Sequence, residues 1–153
     1  MVLGLASSGL HSNGYSLVRK IVFEHAGLKV TDFIPELGRT VGEELLEPTR
    51  IYVRPVHDIL RHYPVKRRVV RGLAHITGEG LEARFDWNAW ALPPVFQWLQ
   101  ETGGVADPEL RRTFNCGVGL VLIVEPDELP DVLEGLVRAN EDAFVIGELA
   151  KAP

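Results

Sequence analysis

Ten residues, Ser7 to Ser16, constrain this chain more than any other stretch: Ser-Ser-Gly-Leu-His-Ser-Asn-Gly-Tyr-Ser. A short apolar run, Val2 to Ala6, leads into them and reads as a buried strand. From about Tyr15 to His25 the apolar positions recur at helical spacing. Leu17, Val18, Ile21 and Val22 share one face, and Arg19, Lys20 and Glu24 the other. The stretch between is a strand-to-helix turn rich in hydroxyls, with an imidazole at His11 and an amide at Asn13. Gly9 and Gly14 let the backbone adopt positive φ and approach a ligand closely. A helix N-terminus adds unpaired N–H groups and about half a positive charge, which together attract anions. The turn is a candidate phosphate or catalytic site. The plainer reading is a helix start in which Ser12 or Asn13 serves as the cap.

At 153 residues the chain is the size of one domain, 1–153, with room for a proper core. Its hydrophobic content of 46% and charged content of 24% are those of a globular protein, not a disordered one. A net charge of −5 gives no electrostatic reason to expect nucleic acid, and no basic run points to a membrane surface. No apolar run approaches the roughly 20 residues of a membrane-spanning helix. The single cysteine, Cys116, excludes an internal disulfide and an all-cysteine metal site, and it fits a cytoplasmic setting. The chain passes from Met1 straight into a strand, as expected of a domain belonging to a longer polypeptide.

Further along, residues 28 to 39 read as a loop, and Thr40 caps a short helix through Leu46 with Glu43 and Glu44 near its positive end. Thr49 to Val53 has the β-branched and aromatic content of a strand, followed by a helix to about Tyr63 that buries Val56, Ile59 and Leu60. His57 and His62 are five apart, the wrong spacing for two ligands on one helical face. The basic cluster Lys66, Arg67, Arg68 and Arg71 reads as a solvated edge. Val69 to Ile76 is a strand that ends in His-Ile-Thr-Gly-Glu-Gly, a second glycine-rich turn where open sheets place ligands. A helix from Pro94 carries Phe96, Trp98 and Leu99 and stops at Gly103 and Gly104. Asp107 as the cap and Pro108 in the first turn begin another, to about Thr113. Val118 to Val124 is the most apolar strand. Leu129 to Asn140 is a helix burying Val132, Leu133, Leu136 and Val137, and Ala143 to Leu149 is a closing strand. Cys116 has no partner for nucleophilic work nearby in sequence and reads as a buried structural thiol.

Several of these stretches resemble the C-terminal domain of the AIR synthetase (phosphoribosylformylglycinamidine cyclo-ligase) family. Ser-Ser-Gly-Leu-His-Ser-Asn-Gly-Tyr-Ser-Leu-Val-Arg-Lys is similar to the opening of that domain. Leu-Leu-Glu-Pro-Thr-Arg-Ile-Tyr-Val, His-Ile-Thr-Gly, Arg-Thr-Phe-Asn-Cys-Gly-Val-Gly-Leu and the late Ile-Gly-Glu also resemble family sequences. Two departures stand out: Glu79 replaces a family glycine, and the segment after Gly80 is shorter.

The resemblance implies an α+β fold, a mixed β-sheet with packed helices. It implies the ATP-dependent ring closure of formylglycinamidine ribonucleotide to aminoimidazole ribonucleotide in purine synthesis, with ATP and Mg²⁺ as cofactors. Carried over by motif, His11 and Asn13 are the catalytic candidates. Gly9, Ser12, Gly14, Thr77 and Gly78 line the substrate and phosphate cleft, and His75 supports the second turn from behind. As loop residues, His11 and Asn13 are expected to be exposed. Most of the metal and ATP site, and the homodimer contacts, are expected from an N-terminal partner domain that nothing here resembles. The chain alone is therefore expected to be inactive, with an apolar docking surface around Trp87, Trp90 and Pro93. The competing reading, favoured by Glu79 and the short segment, is a non-catalytic module of the same superfamily that binds a nucleotide or a partner.

Overall fold

The computed structural model describes residues 1–63, 69–76 and 84–149. In chain order its elements are β1 (Val2–Ala6), α1 (Tyr15–Arg19) continued by a π-helical turn (Lys20–His25), β2 (Phe33–Ile34), β3 (Arg39–Thr40), α2 (Val41–Leu45) and α3 (Val53–His62). There follow β4 (Val70–His75), β5 (Arg84–Phe85), α4 (Pro94–Gly103), α5 (Asp107–Thr113), β6 (Val118–Val124), a 3₁₀ turn (Pro126–Glu128), α6 (Leu129–Arg138) and β7 (Ala143–Glu148).

The run Val-Leu-Gly-Leu-Ala is apolar throughout because β1 is the middle strand of a five-stranded sheet, in the order β4-β6-β1-β7-β5. Leu3 and Leu5 point to one face, where they meet Leu120, Leu122 and Val124 beneath Ile59 of α3 and Val132 and Leu136 of α6. Both leucines are fully buried, and each such side chain contributes about 1.5–3 kcal/mol. Val2 points to the opposite face with Val121 and Ile146, and Ile76, Phe85, Trp90 and Phe144 pack there. A third cluster joins the first helix to α4 and α5 through Val18, Ile21, Phe96, Leu99 and Phe114.

The fold is α+β, and each described strand pairing is antiparallel, a more uniform sheet than the mixed one expected. One consequence positions the site. β1 and β4 both run antiparallel to β6, which lies between them, so they are parallel to each other and end at the same edge of the sheet. Ala6 pairs with Val118 and His75 with Leu120, both at the start of β6. Leu5 pairs with Leu120 and Ala6 with Val118, so Gly119 is an extra residue, a β-bulge at that edge.

Several expectations are corrected. Thr49–Val53 is not a strand: it is irregular up to Tyr52, and α3 begins at Val53. The Thr49 hydroxyl and the Arg50 N–H bond the Ser7–Gly14 loop in place of a ladder, as does the carbonyl of the preceding Pro48, so β propensity is overridden. Residues 28–39 include the short β2–β3 hairpin. The first helix spans Tyr15 to His25 as expected, but its second half widens to π geometry, with Ala26 N–H donating to Ile21 O at 2.8 Å. Asp107 is the first residue of α5 and not its cap; its carboxylate accepts from Gln100 Nε2 and Arg111 Nη2. Leu60 and Val137 are exposed, and α6 ends at Arg138.

Candidate functional site

The Ser7–Gly14 loop leaves β1 across the start of β6, where Ser7 N–H donates to Gly117 O at 2.9 Å. A side chain that the sequence reading did not single out, Asn115, fastens it. Asn115 is buried, and its Nδ2 donates to Gly9 O (3.0 Å) and Leu10 O (3.2 Å). Its Oδ1 accepts from the Ser7 hydroxyl (3.0 Å) and from Gly117 N–H (2.8 Å). All of its hydrogen-bonding capacity is spent on fixing the loop.

Gly14 has φ 71 and precedes the first residue of α1, and a Cβ there would fall 2.3 Å from Phe114 Cε1. Only glycine satisfies both demands. The helix start has no side-chain cap, so neither Ser12 nor Asn13 plays that part. Ser12 is exposed and lies 3.1 Å, hydroxyl to hydroxyl, from Thr49. Gly9 has φ 154 and lies beside Glu44 and Glu47.

His11 is only 3% exposed, which overturns the expectation of an exposed loop residue. It sits at φ 56, a left-handed backbone that costs a non-glycine residue on the order of 1–3 kcal/mol and clusters at functional sites. The bulge makes room for it: a Cβ on Gly119 would lie 2.5 Å from His11 Cε1 and 2.1 Å from the Tyr52 hydroxyl oxygen. That hydroxyl donates to Ala6 O at 2.7 Å, and burial pushes its pKa up to about 12, so it remains a donor. The rings of His11, Tyr52 and His75 lie 6.2 Å apart pairwise, His75 roughly parallel to His11. The ends of β1 and β4 thus converge on one ring cluster.

His11 Nε2 accepts from Ser8 N–H (3.2 Å) and Arg50 N–H (3.4 Å). Burial, then the nearby His75 and Arg50, hold its pKa below the ordinary histidine value, so the ring is neutral at pH 7. Two side-chain nitrogens here, His11 Nδ1 and Asn13 Nδ2, are buried with no hydrogen-bond partner among the described residues. A buried unpaired polar group costs roughly 1–3 kcal/mol, so two of them on one loop stand out.

Thr77, Gly78 and Glu79 lie outside the described residues, as do Lys66, Arg67 and Arg68. Beside Ser7–Gly9 opens a cleft of about 190 Å³ between Arg39, Glu44 and Pro94. Among the described residues its one cation is engaged: Arg39 lies 2.9 Å from Glu47 and 3.4 Å from Glu44. Burial raises the pKa of Glu44. Among the described residues no three or more His, Cys, Asp or Glu side chains group as metal ligands would.

Comparison with known proteins bears on the same residues. The family model for AIR synthase related proteins, C-terminal domain, matches residues 1–153. The chain belongs to that family. Phosphoribosylformylglycinamidine cyclo-ligase from Geotalea uraniireducens is 50% identical over 98% of this chain and 45% of its own length. Those of Citrifermentans bemidjiense and Syntrophotalea carbinolica are 49% and 45% identical over 98% and 99% of the chain, in each case 45% of the relative. The AIR-synthase-related chain therefore spans somewhat less than half the length of these relatives, corresponding to their C-terminal domain. The first alignment runs 162 positions against the chain's 153 residues, so that relative is longer inside the matched span.

Proposed function

We propose that this chain is the C-terminal half of a phosphoribosylformylglycinamidine cyclo-ligase, closing formylglycinamidine ribonucleotide to aminoimidazole ribonucleotide in purine synthesis. The observation that carries the reading is the pair of buried, unpartnered nitrogens, His11 Nδ1 and Asn13 Nδ2, on a loop fixed by Asn115. Amide and imidazole N–H groups held in a site of low dielectric suit oxygen-rich ligands, phosphate or a formyl oxygen, and stabilise charge developing on them. Bound ATP would supply the phosphoryl group that makes the formyl oxygen a leaving group. Within this chain the ligand's partners would be His11, Asn13 and the backbone of Gly9 to Gly14, together with Thr77 and Gly78, which follow β4 in the sequence.

The described residues do not fit a Mg²⁺ ion, which prefers several oxygen ligands, so its carboxylates belong to the N-terminal partner domain on this reading. The same domain would bring the homodimer contacts. Leu46, Ile51 and Val53 are 81%, 78% and 72% exposed and flank the segment that bonds the loop, which supports docking of the partner domain there. No helix among the described residues is long and apolar enough to cross a membrane, and the reading places the enzyme in the cytoplasm.

In the full-length protein, His11→Ala and Asn13→Ala should each lower kcat/KM by about a hundred- to a thousand-fold, the cost of one transition-state contact. The 153-residue chain, mixed with formylglycinamidine ribonucleotide, ATP and Mg²⁺, should yield no aminoimidazole ribonucleotide. Near-native activity in both variants removes the site. A folded full-length protein without turnover returns the chain to the binding-module reading.

A further inference from the structure

We infer that His11 works as a neutral hydrogen-bond donor through Nδ1, not as a general base, and that Arg50, clamped by Glu141, is the positioning residue that sets this state. The ligand that receives the bond rests on the reading above; the state of the ring does not.

The argument begins with the two backbone donors. Ser8 N–H and Arg50 N–H, from opposite ends of the site in sequence, both point at His11 Nε2, at 3.2 and 3.4 Å. A ring nitrogen that accepts cannot carry a proton, so the neutral imidazole holds its single hydrogen on Nδ1. Protonating Nε2 would set an N–H against two others. The charged groups around the ring oppose an imidazolium as well: Arg50 on the α3 approach and His75 at the end of β4 both disfavour it, and the Tyr52 hydroxyl faces Ala6 O instead of the ring. The free valence of His11 is thus a donor, buried and without a partner among the described residues. Asn13 Nδ2, two residues on, is a second donor in the same condition. A donor at Nδ1 suits an acceptor oxygen, and with Nε2 already accepting, the ring has no free lone pair with which to take a proton.

What holds Arg50 in register lies outside the loop. Its guanidinium is 3.0 Å from Glu141 Oε2, at an angle that makes the contact an ion pair more than a directed hydrogen bond, and 3.4 Å from Asn140 O. Glu141 is buried to 9% exposure, and Asn140 before it turns at φ 58. A buried carboxylate is retained only where it is paired. Arg50 therefore ties the bend before β7 to the acceptor side of His11.

The test is nitrogen-15 spectroscopy of the imidazoles in this chain from pH 5.5 to 8, with the five histidines assigned through bonds. Expected for His11 are a protonated Nδ1, an unprotonated Nε2 and titration below the ordinary histidine value. An Nε2–H tautomer, or an imidazolium at pH 7, overturns the inference. In Arg50→Ala, and independently in the milder Glu141→Gln, the His11 signals should move toward a tautomer mixture. An unchanged His11 spectrum in a folded variant of either residue removes the positioning role. In the full-length protein His11→Asn keeps an N–H near the Nδ1 position, while an amide cannot act as a base. It should retain at least about ten-fold more kcat/KM than His11→Ala; equal loss removes the donor role. Should wild-type full-length protein not turn over at all, the family reading fails, and the spectra still decide the state of His11.

Discussion

Gly117 and Gly119 stand two residues apart at the start of β6, and each is kept small by a different neighbour. Above Gly117 lies packing. A Cβ there would meet Pro93 at 2.7 Å and the Trp90 indole nitrogen at 3.4 Å, and that nitrogen donates to Cys116 O at 2.8 Å. Trp90 in turn lies 5.8 Å from Phe144 in a roughly parallel stack. Above Gly119 lie Tyr52 and His11, with an unpartnered Nδ1 and a left-handed backbone at His11. On the Gly117 side Trp90 has its bond and the Cys116 thiol, pushed up to about 12 by burial, is inert. Left-handed backbone occurs on both sides, at Cys116 and at His11, but unsatisfied polarity is found on the Gly119 side. That contrast, more than depth or shape, separates scaffold from site.

The largest stability loss is expected at Gly117→Ala. Gly117 has φ 101 and follows Cys116 at φ 48, the pattern of a type I′ turn closed by Val118 N–H donating to Asn115 O at 3.0 Å. Alanine there combines backbone strain of about 1–3 kcal/mol with a clash against a proline ring that cannot swing away. Denaturant unfolding should show a loss of at least about 3 kcal/mol, or an unfolded chain. A loss under about 1 kcal/mol would mean the Trp90–Pro93 packing yields easily.

Gly119→Ala should be milder for the fold and harsher for the site. Overpacking costs roughly 1–3 kcal/mol, and here what must give is the Tyr52 hydroxyl and the His11 ring. In the full-length protein kcat/KM should fall at least about a hundred-fold, the scale of one lost transition-state contact. If stability falls while activity per folded molecule holds, Gly119 belongs with Gly117 as packing.

Much of this was legible beforehand, for reasons the residues make plain. The burial of β1, the capping box in which Thr40 and Glu43 bond reciprocally, and the apolar run of β6 follow from local pattern. That β1 and β4 end at the same edge was not legible, because it depends on both pairing with β6. Asn115 was hidden: in sequence it is one polar residue inside an apolar run, and its four bonds are all made to residues brought close by folding or by the turn. Arg50 and Tyr52 read as strand because β propensity says nothing about which partner the backbone will find. The Trp87–Trp90–Pro93 surface was misjudged in part. Trp90 and Pro93 pack on Gly117 and are half-buried, and Trp87 is the exposed one of the three, with the Arg111 guanidinium 4.6 Å above its ring. Among the described residues the most exposed large apolar side chains lie at Leu46, Ile51 and Val53 instead.

A smaller effect probes the scaffold side. Trp90→Phe keeps the ring against Phe144 and removes the N–H, leaving Cys116 O without that donor. A loss of about 0.5–1.5 kcal/mol is expected, the net worth of one hydrogen bond, with the His11 spectrum unmoved. A shifted His11 spectrum would show that the two sides of the turn are coupled.

The smallest effect is a pH dependence that belongs to the Gly119 side alone. His11 has its pKa lowered in the folded state, first by burial and then by His75 and Arg50. In the unfolded chain it takes up a proton below about 6.5, before the folded protein does, so ν_U exceeds ν_N there and stability falls as pH falls through that value. One proton sets a ceiling of about 1.4 kcal/mol per pH unit on the slope. Glu44 acts oppositely and lower down: its folded pKa is raised, so the stability it contributes is lost as pH rises above the ordinary carboxylate range. The two are separated by comparing wild type with His11→Asn between pH 5.5 and 7.5. The wild-type curve should drop toward acid and the variant's should be flatter, while Trp90→Phe keeps the wild-type shape with a uniform offset. Parallel curves for wild type and His11→Asn would mean that His11 is no less protonated when folded than when unfolded. The two sides of Val118 would then not differ in the electrostatic way described.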